Sequence, residues 1–248
     1  VLKEALEYIR KTAHAEEIVD VTSDGLFTQT VYLPPAEPTA KPIEVKTLTS
    51  LVDYLQANRD GLELGKVAVL VESPTSVRVI GPLVGRHRQR ECVLTASAEI
   101  PTVVLDRYVE REDMQIMLMS RFVPSTGPDP DGNDQHDAVK LVSTVTSGTT
   151  RTVGDDGVQQ EVSVQRGAAT KARDLVKRVY YLAPYRTFAE IEQPLSPFVL
   201  RIRGDEEEIQ VALFEADGGA WKIQARDRVA TWLREQIKSL ELPVEVFA

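Results

Sequence analysis

Residues 66–98 read KVAVLVESPTSVRVIGPLVGRHRQRECVLTASA. Three apolar runs, KVAVLVES, SVRVIGPL and QRECVLTASA, are separated by breaks short enough to be hairpin turns. Pro74 marks the first turn, since its fixed φ suits a turn and it has no N–H to give a ladder. Gly85 marks the second. β-Branched residues fill the runs, and such side chains fit a pleated surface. A strand meander is therefore expected here. With the helical stretches that surround it, it sets the fold class as α+β with a mainly antiparallel sheet.

Upstream, Thr49 reads as the N-cap of a helix reaching Asn58, with Leu51, Val52 and Leu55 on its inner face and Gly61 as its stop. Before it lies PPAEPTAKP, residues 34–42, whose four prolines make a stiff, extended connector. EIVDVTSDGLFTQTVYL reads as two short strands turning at Ser23-Asp24-Gly25. Leu2, Leu6, Ile9 and Ala13 keep a helical period, which predicts an amphipathic helix over residues 2–15. Residues 1–42 thus form an N-terminal arm of helix, hairpin and connector, and residues 43–248 read as a single α+β domain.

Downstream, Met114, Met117, Leu118 and Phe122 predict a helix from about residue 110 to 122. AVKLVSTVT, VQQEVSVQR, VKRVYYLA, PFVLRIR and EIQVALFEA read as strands from their alternation or β-branched content. A long C-terminal helix follows, striped by Trp221, Ala225, Val229, Trp232, Leu233 and Ile237. VEVF reads as a last strand.

Composition narrows the function classes. Among 248 residues the net charge is −9, which argues against a protein that coats nucleic acid with its whole surface. No apolar run approaches the roughly 20 residues of a bilayer-spanning helix, so no membrane partner is expected. The first residues mix charge with apolar side chains and lack the apolar core of a secretory signal. Cys92 is the single cysteine, which excludes a disulfide framework within the chain and points to a reducing, cytoplasmic compartment.

Three stretches have the residue types of a binding site. PDPDGNDQHD, residues 128–137, offers oxygen ligands, and Asp129, Asp131 and Asn133 fit the first positions of a calcium loop. Its glycine falls two places early, however, and Lys140 stands where a bidentate glutamate is required. A mobile connector without metal is the reading adopted. GRHRQRE places Arg86, Arg88 and Arg90 at a hairpin end, where guanidinium forks suit phosphate; a solvated turn is the plainer alternative. EADGGAWK runs strand, tight turn, helix, and makes Gly218, Gly219 and Lys222 candidates for holding an anion, although Asp217 is placed to cap the helix itself. His14, His87 and His136 have no ligand-spaced partners. No nucleophile elbow, zinc-protease or dinucleotide fingerprint occurs, so no catalytic residue and no cofactor are expected.

TLTSLVDYL, VESPTSVRVIGPL, GDDGVQQEVSVQRG, LAPYRTFAEIEQPLSPFVLRI and ALFEADGGAWK together resemble proteins encoded by tailed phages and prophages. More distantly they resemble the YfdQ-like family of unknown function. The resemblance covers most of the chain from about residue 46 onward. It implies a phage product made in the bacterial host cytoplasm, and it carries over no catalytic residue. The expected function is that of a non-enzymatic homo-oligomeric assembly or scaffold protein. Leu2, Leu6 and Ile9 of the arm and Val244 and Val246 of the last strand are the candidate subunit contacts. One alternative is a nucleic-acid-associated accessory factor in phage replication or recombination. Arg86, Arg88, Arg90 and Arg186 would then hold phosphates, with Tyr180, Tyr181 or Tyr185 stacking on bases. Another is a protein that binds a small anionic ligand, such as a nucleotide, at Gly218 and Gly219.

Overall fold

A computed structural model shows an α+β protein and describes residues 3–5, 18–21, 27–30, 40–85, 88–125, 131, 133–144, 160–166, 170–176, 179–204 and 209–248. The meander is formed as expected, by β4 (Ala68–Ser73), β5 (Ser76–Val84) and β6 (Gln89–Ser97). It occupies the middle of a five-stranded sheet. β13 (Glu245–Phe247) adds in parallel to β4 at one edge, and β3 (Ile43–Val45) adds in parallel to β6 at the other. The sheet is therefore mixed, antiparallel at its centre and parallel at both margins.

Helices α1 (Leu48–Ala57) and α4 (Trp221–Ser239) cover one face of this sheet. Leu48, Leu51, Leu55, Val229 and Leu233 meet Val69, Val71, Val77, Val79, Leu94 and Ala96 there, in a first core. The N-cap of α1 is Thr47, two residues earlier than the periodicity indicates. Its hydroxyl accepts the N–H of Ser50 at 3.1 Å, while Thr49 points its N–H and hydroxyl at Glu190 instead. Asn58 ends the helix at φ 40°, a left-handed conformation that asparagine tolerates well. Its amide then closes the next turn by bonding both the N–H and the carbonyl of Leu62.

A second sheet has the order β10 (Tyr180–Leu182), β11 (Ser196–Gly204), β12 (Ile209–Glu215), β7 (Tyr108–Glu110), antiparallel throughout. Helices α2 (Arg111–Ser120) and α3 (Gln135–Thr144) pack on it. Met114, Met117, Leu118, Phe122, Leu141, Tyr180, Leu182, Phe198, Leu200 and Leu213 form the second core.

α3 corrects the sequence reading. AVKLVSTVT looks like a strand because of its valines, yet residues 138–144 are helical. Ala138, Leu141 and Val142 lie at the three- and four-residue spacing that turns one face of a helix toward the second core. The last residues of PDPDGNDQHD start this helix, so the connector is shorter than its composition implies. Asp134 accepts the N–H of Asp137 on its carboxylate at 3.0 Å and that of Ala138 on its carbonyl at 3.1 Å. Residues 128–130 and 132 of that stretch lie outside the described residues, as do most of the helix expected at 2–15 and the proline connector through residue 39. The arm hairpin appears as β1 (Ile18–Val21) against β2 (Phe27–Thr30), and VQQEVSVQR supplies β8 (Gln160–Arg166), paired with β9 (Thr170–Val176).

The connector between β10 and β11 joins the two cores. Tyr180, Leu182 and Phe198 sit in the second core, while Phe188 and Ile191, between them in sequence, sit in the first. Truncating a fully buried phenylalanine costs about 3–5 kcal/mol. Phe188→Ala should therefore destabilise the protein by about 3 kcal/mol in urea unfolding. A loss below about 0.5 kcal/mol, within the range of ordinary surface substitutions, would show that this docking contributes nothing.

Candidate functional site

The strongest polar constellation is built where that connector meets the start of α4. Arg186 is only 6% exposed, and its guanidinium donates to Glu215 at 2.7 Å, to the Pro194 carbonyl at 3.1 Å and to the Ser196 hydroxyl. It also lies 4.0 Å from the centre of the Trp221 ring, at cation–π distance. Burial lowers the Arg186 pKa, and the Glu215 carboxylate works against that shift. The backbone around it is held by Gln193. The amide oxygen of Gln193 accepts the N–H groups of Arg186 and Thr187 at 2.9 and 3.2 Å, and its nitrogen donates to the carbonyls of Phe188 and Ile191. All four hydrogen bonds of one buried amide are thus used to close a single loop.

Ser196 passes the network on, donating to Asp217 at 2.7 Å. Asp217 opens the tight turn before α4, and Gly218 and Gly219 follow at φ 62° and 82°, where a Cβ would be strained. The Asp217 carboxylate accepts the N–H of Gly219 at 2.8 Å and that of Trp221 at 3.3 Å. Burial alone would raise its pKa. The hydrogen bonds from Ser196, Gly219 and Trp221 and the charge of Arg186 outweigh that and hold it below the usual carboxylate range.

Gly218, Gly219 and Lys222 are therefore brought together, with the Lys222 side chain lying beside Gly219. The N–H groups that an incoming anion would use are already bonded to Asp217. Arg88 and Arg90 lie at the far end of the β5–β6 hairpin, and no described bond joins them to this turn. Arg90 donates to the Gly81 carbonyl of its own hairpin at 2.9 Å, Arg88 takes φ 53°, and Arg86 lies outside the described residues. Tyr180 is buried in the second core, whereas Tyr181 and Tyr185 are exposed. Val244 is buried in the first core and Val246 packs against it, so the outward residues of β13 are Glu245 and Phe247. Leu2, Leu6 and Ile9 lie outside the described residues. Among the described residues, no group of three or more His, Cys, Asp or Glu side chains is arranged to hold a metal ion, and no helix is long and apolar enough to cross a membrane.

No protein-family model, no curated protein and no solved structure matches this chain.

Sequence reasoning weighed Arg186 as a phosphate ligand and missed its role as a buried tie. The available signal was its setting, an arginine between an aromatic and Thr187-Phe188 in a segment without strand alternation.

Because the folded-state pKa of Asp217 is depressed, its contribution to stability is present above its unfolded value, about 4, and is lost as pH falls through the lower folded value. Asp217→Asn should therefore be less stable than the native protein at pH 7, by about 1–2 kcal/mol if the cap dominates. The difference should shrink below about pH 4. Urea midpoints across that range measure it; a gap that stays constant would show that the carboxylate charge is not what the turn uses.

Proposed function

We propose that this chain is a phage-encoded, non-enzymatic protein that functions as a homo-oligomer, forming an assembly or scaffold in the cytoplasm of the infected bacterium. The observation that carries this reading is the outer face of α2. Ile116 and Met119 stand one helical turn apart there and are 56% and 59% exposed. Isolated exposed apolar residues are ordinary, and it is contiguous apolar surface that favours a contact site. Leu195, Ile223 and Phe247 add further exposed apolar groups on the connector, α4 and β13.

The phage origin rests on the resemblance of LAPYRTFAEIEQPLSPFVLRI and ALFEADGGAWK. These two segments also supply Arg186, Gln193, Ser196, Glu215, Asp217 and Trp221. What the resemblance tracks is thus a tie between cores, with its charges internally matched. That supports a structural role over a catalytic one, since a reacting site keeps polar groups available to substrate.

Native mass spectrometry tests the reading directly. The expected result is a discrete multiple of 27.6 kDa at micromolar concentration. A monomer persisting at tens of micromolar, roughly the range where weak self-association already shows, would overturn it.

A further inference from the structure

The four-stranded sheet carries its two helices on one face, and alternation along its strands puts a different set of residues on the other. Phe198, Leu200, Ile202, Val211 and Leu213 belong to the second core. The residues between them, with their partners on β7 and β10, make the helix-free face. Arg201, Ala212 and Tyr108 form one row across it, and Arg203, Gln210 and Glu110 the next. Phe214 stands beside Val199, and Tyr181 beside Pro197. Aromatic rings and guanidinium groups are thus collected on one sheet surface.

These groups are already arranged with respect to one another. The Arg203 guanidinium lies 3.8 Å from the centre of the Tyr108 ring. Its Nε and one of its terminal nitrogens donate to the Gln210 amide oxygen at 3.0 and 2.9 Å, which fixes the plane of the fork. Its other terminal nitrogen has no protein partner among the described residues. The Phe214 ring meets Tyr108 edge-on, with 6.5 Å between centres. Tyr181 is 50% exposed and Arg203 is exposed as well, whereas Tyr108 and Phe214 are half-buried. Ala212 is buried between its larger neighbours, Arg201 and Tyr108.

Such a surface has a definite chemical preference. Aromatic side chains stack on bases of any identity, because every base has a flat π face. A guanidinium held beside a ring adds a fork for phosphate oxygens. A purely apolar partner would bury Arg203 without an acceptor, and an acidic peptide would answer the arginine but leave the rings unused. The outer strands, β10 and β7, are three strand spacings apart, about 14 Å. One nucleotide cannot reach both Tyr181 and Tyr108, so the face suits a strand of several. In a duplex the bases stack on one another and offer no free face.

Charge limits the affinity. Glu110 closes one row beside Gln210, and the chain carries a net charge of −9. Binding is therefore local and strongest at low salt.

We infer that the helix-free face of the four-stranded sheet, centred on Tyr108, Tyr181 and Arg203, binds single-stranded nucleic acid, the rings stacking on bases and the arginine holding a phosphate. This goes beyond the assembly reading and does not depend on it.

Fluorescence anisotropy tests it, with the full chain titrated into labelled single-stranded DNA or RNA of about twelve nucleotides, at about 50 mM salt. The expected result is micromolar binding, with a duplex of the same sequence and a free mononucleotide held at least about tenfold more weakly. Tyr181→Ala, a change at an exposed position, should keep the native urea midpoint and weaken binding about fivefold or more. Arg203→Gln should lower the slope of log affinity against log salt by about 0.7, the share of one phosphate on a single strand. No binding at about 100 µM protein would overturn the inference, since even non-specific contact is tighter than that. So would binding that both variants leave unchanged, or a duplex or mononucleotide held as tightly as the strand.

Discussion

A buried guanidinium needs partners for the hydrogen bonds it gives up to water, and the two terminal nitrogens of Arg186 find theirs on groups drawn from separate elements, while its Nε is buried without one. Glu215 ends β12, Ser196 begins β11, Pro194 belongs to the connector, and the ring of Trp221 opens α4. Each of these leads to a different part of the molecule. Fixing the arginine therefore fixes where β12 leaves the second sheet and where α4 enters the first core. Removing one partner of a buried pair is far more costly than the pair's net contribution, since it strands the other charge. That asymmetry makes the tie a constraint on geometry more than a source of stability.

The connector carries further bonds toward the first core. Thr187 donates to the Pro74 carbonyl in the β4–β5 turn at 2.5 Å, Glu190 accepts from Thr49 at the start of α1, and Arg228 of α4 donates to the Glu192 carbonyl. Phe188 and Ile191 are thus held against the first core by polar bonds on both sides. The chain also passes between the two cores at residues 98–107 and 216–220, and the β10–β11 connector is a crossing bonded nearly residue by residue.

Much of this architecture was legible in local pattern. The meander, α1, α2 and the stripe of α4 each come from periodicity that tertiary packing then uses. Ala225, Val229, Leu233 and Ile237 of that stripe are all buried. α3 was not legible, since Lys140, Ser143 and Thr144 between its valines allow either period and β-branching tips the balance toward strand. The parallel addition of β3 and β13 at the sheet margins was beyond local reading as well, because pairing between residues near 45 and 95, or near 70 and 246, depends on long-range packing. For the candidate site the outcome follows the same line. Asp217 and its glycines were readable because a cap is a local device. Arg186 was not, because its partners lie up to 35 residues away, at Trp221.

Calorimetry of Arg186→Leu against the native protein tests the tie most directly. Loss of a buried partner of Glu215 costs about 3–5 kcal/mol, equivalent to a midpoint lower by about 10 °C in a chain of this size. The native protein should unfold in one transition, and the variant should show that lower midpoint with the transition broadened or split as the two cores uncouple. A variant that unfolds in one sharp transition within about 2 °C of the native midpoint, less than 1 kcal/mol on that scale, would contradict the account.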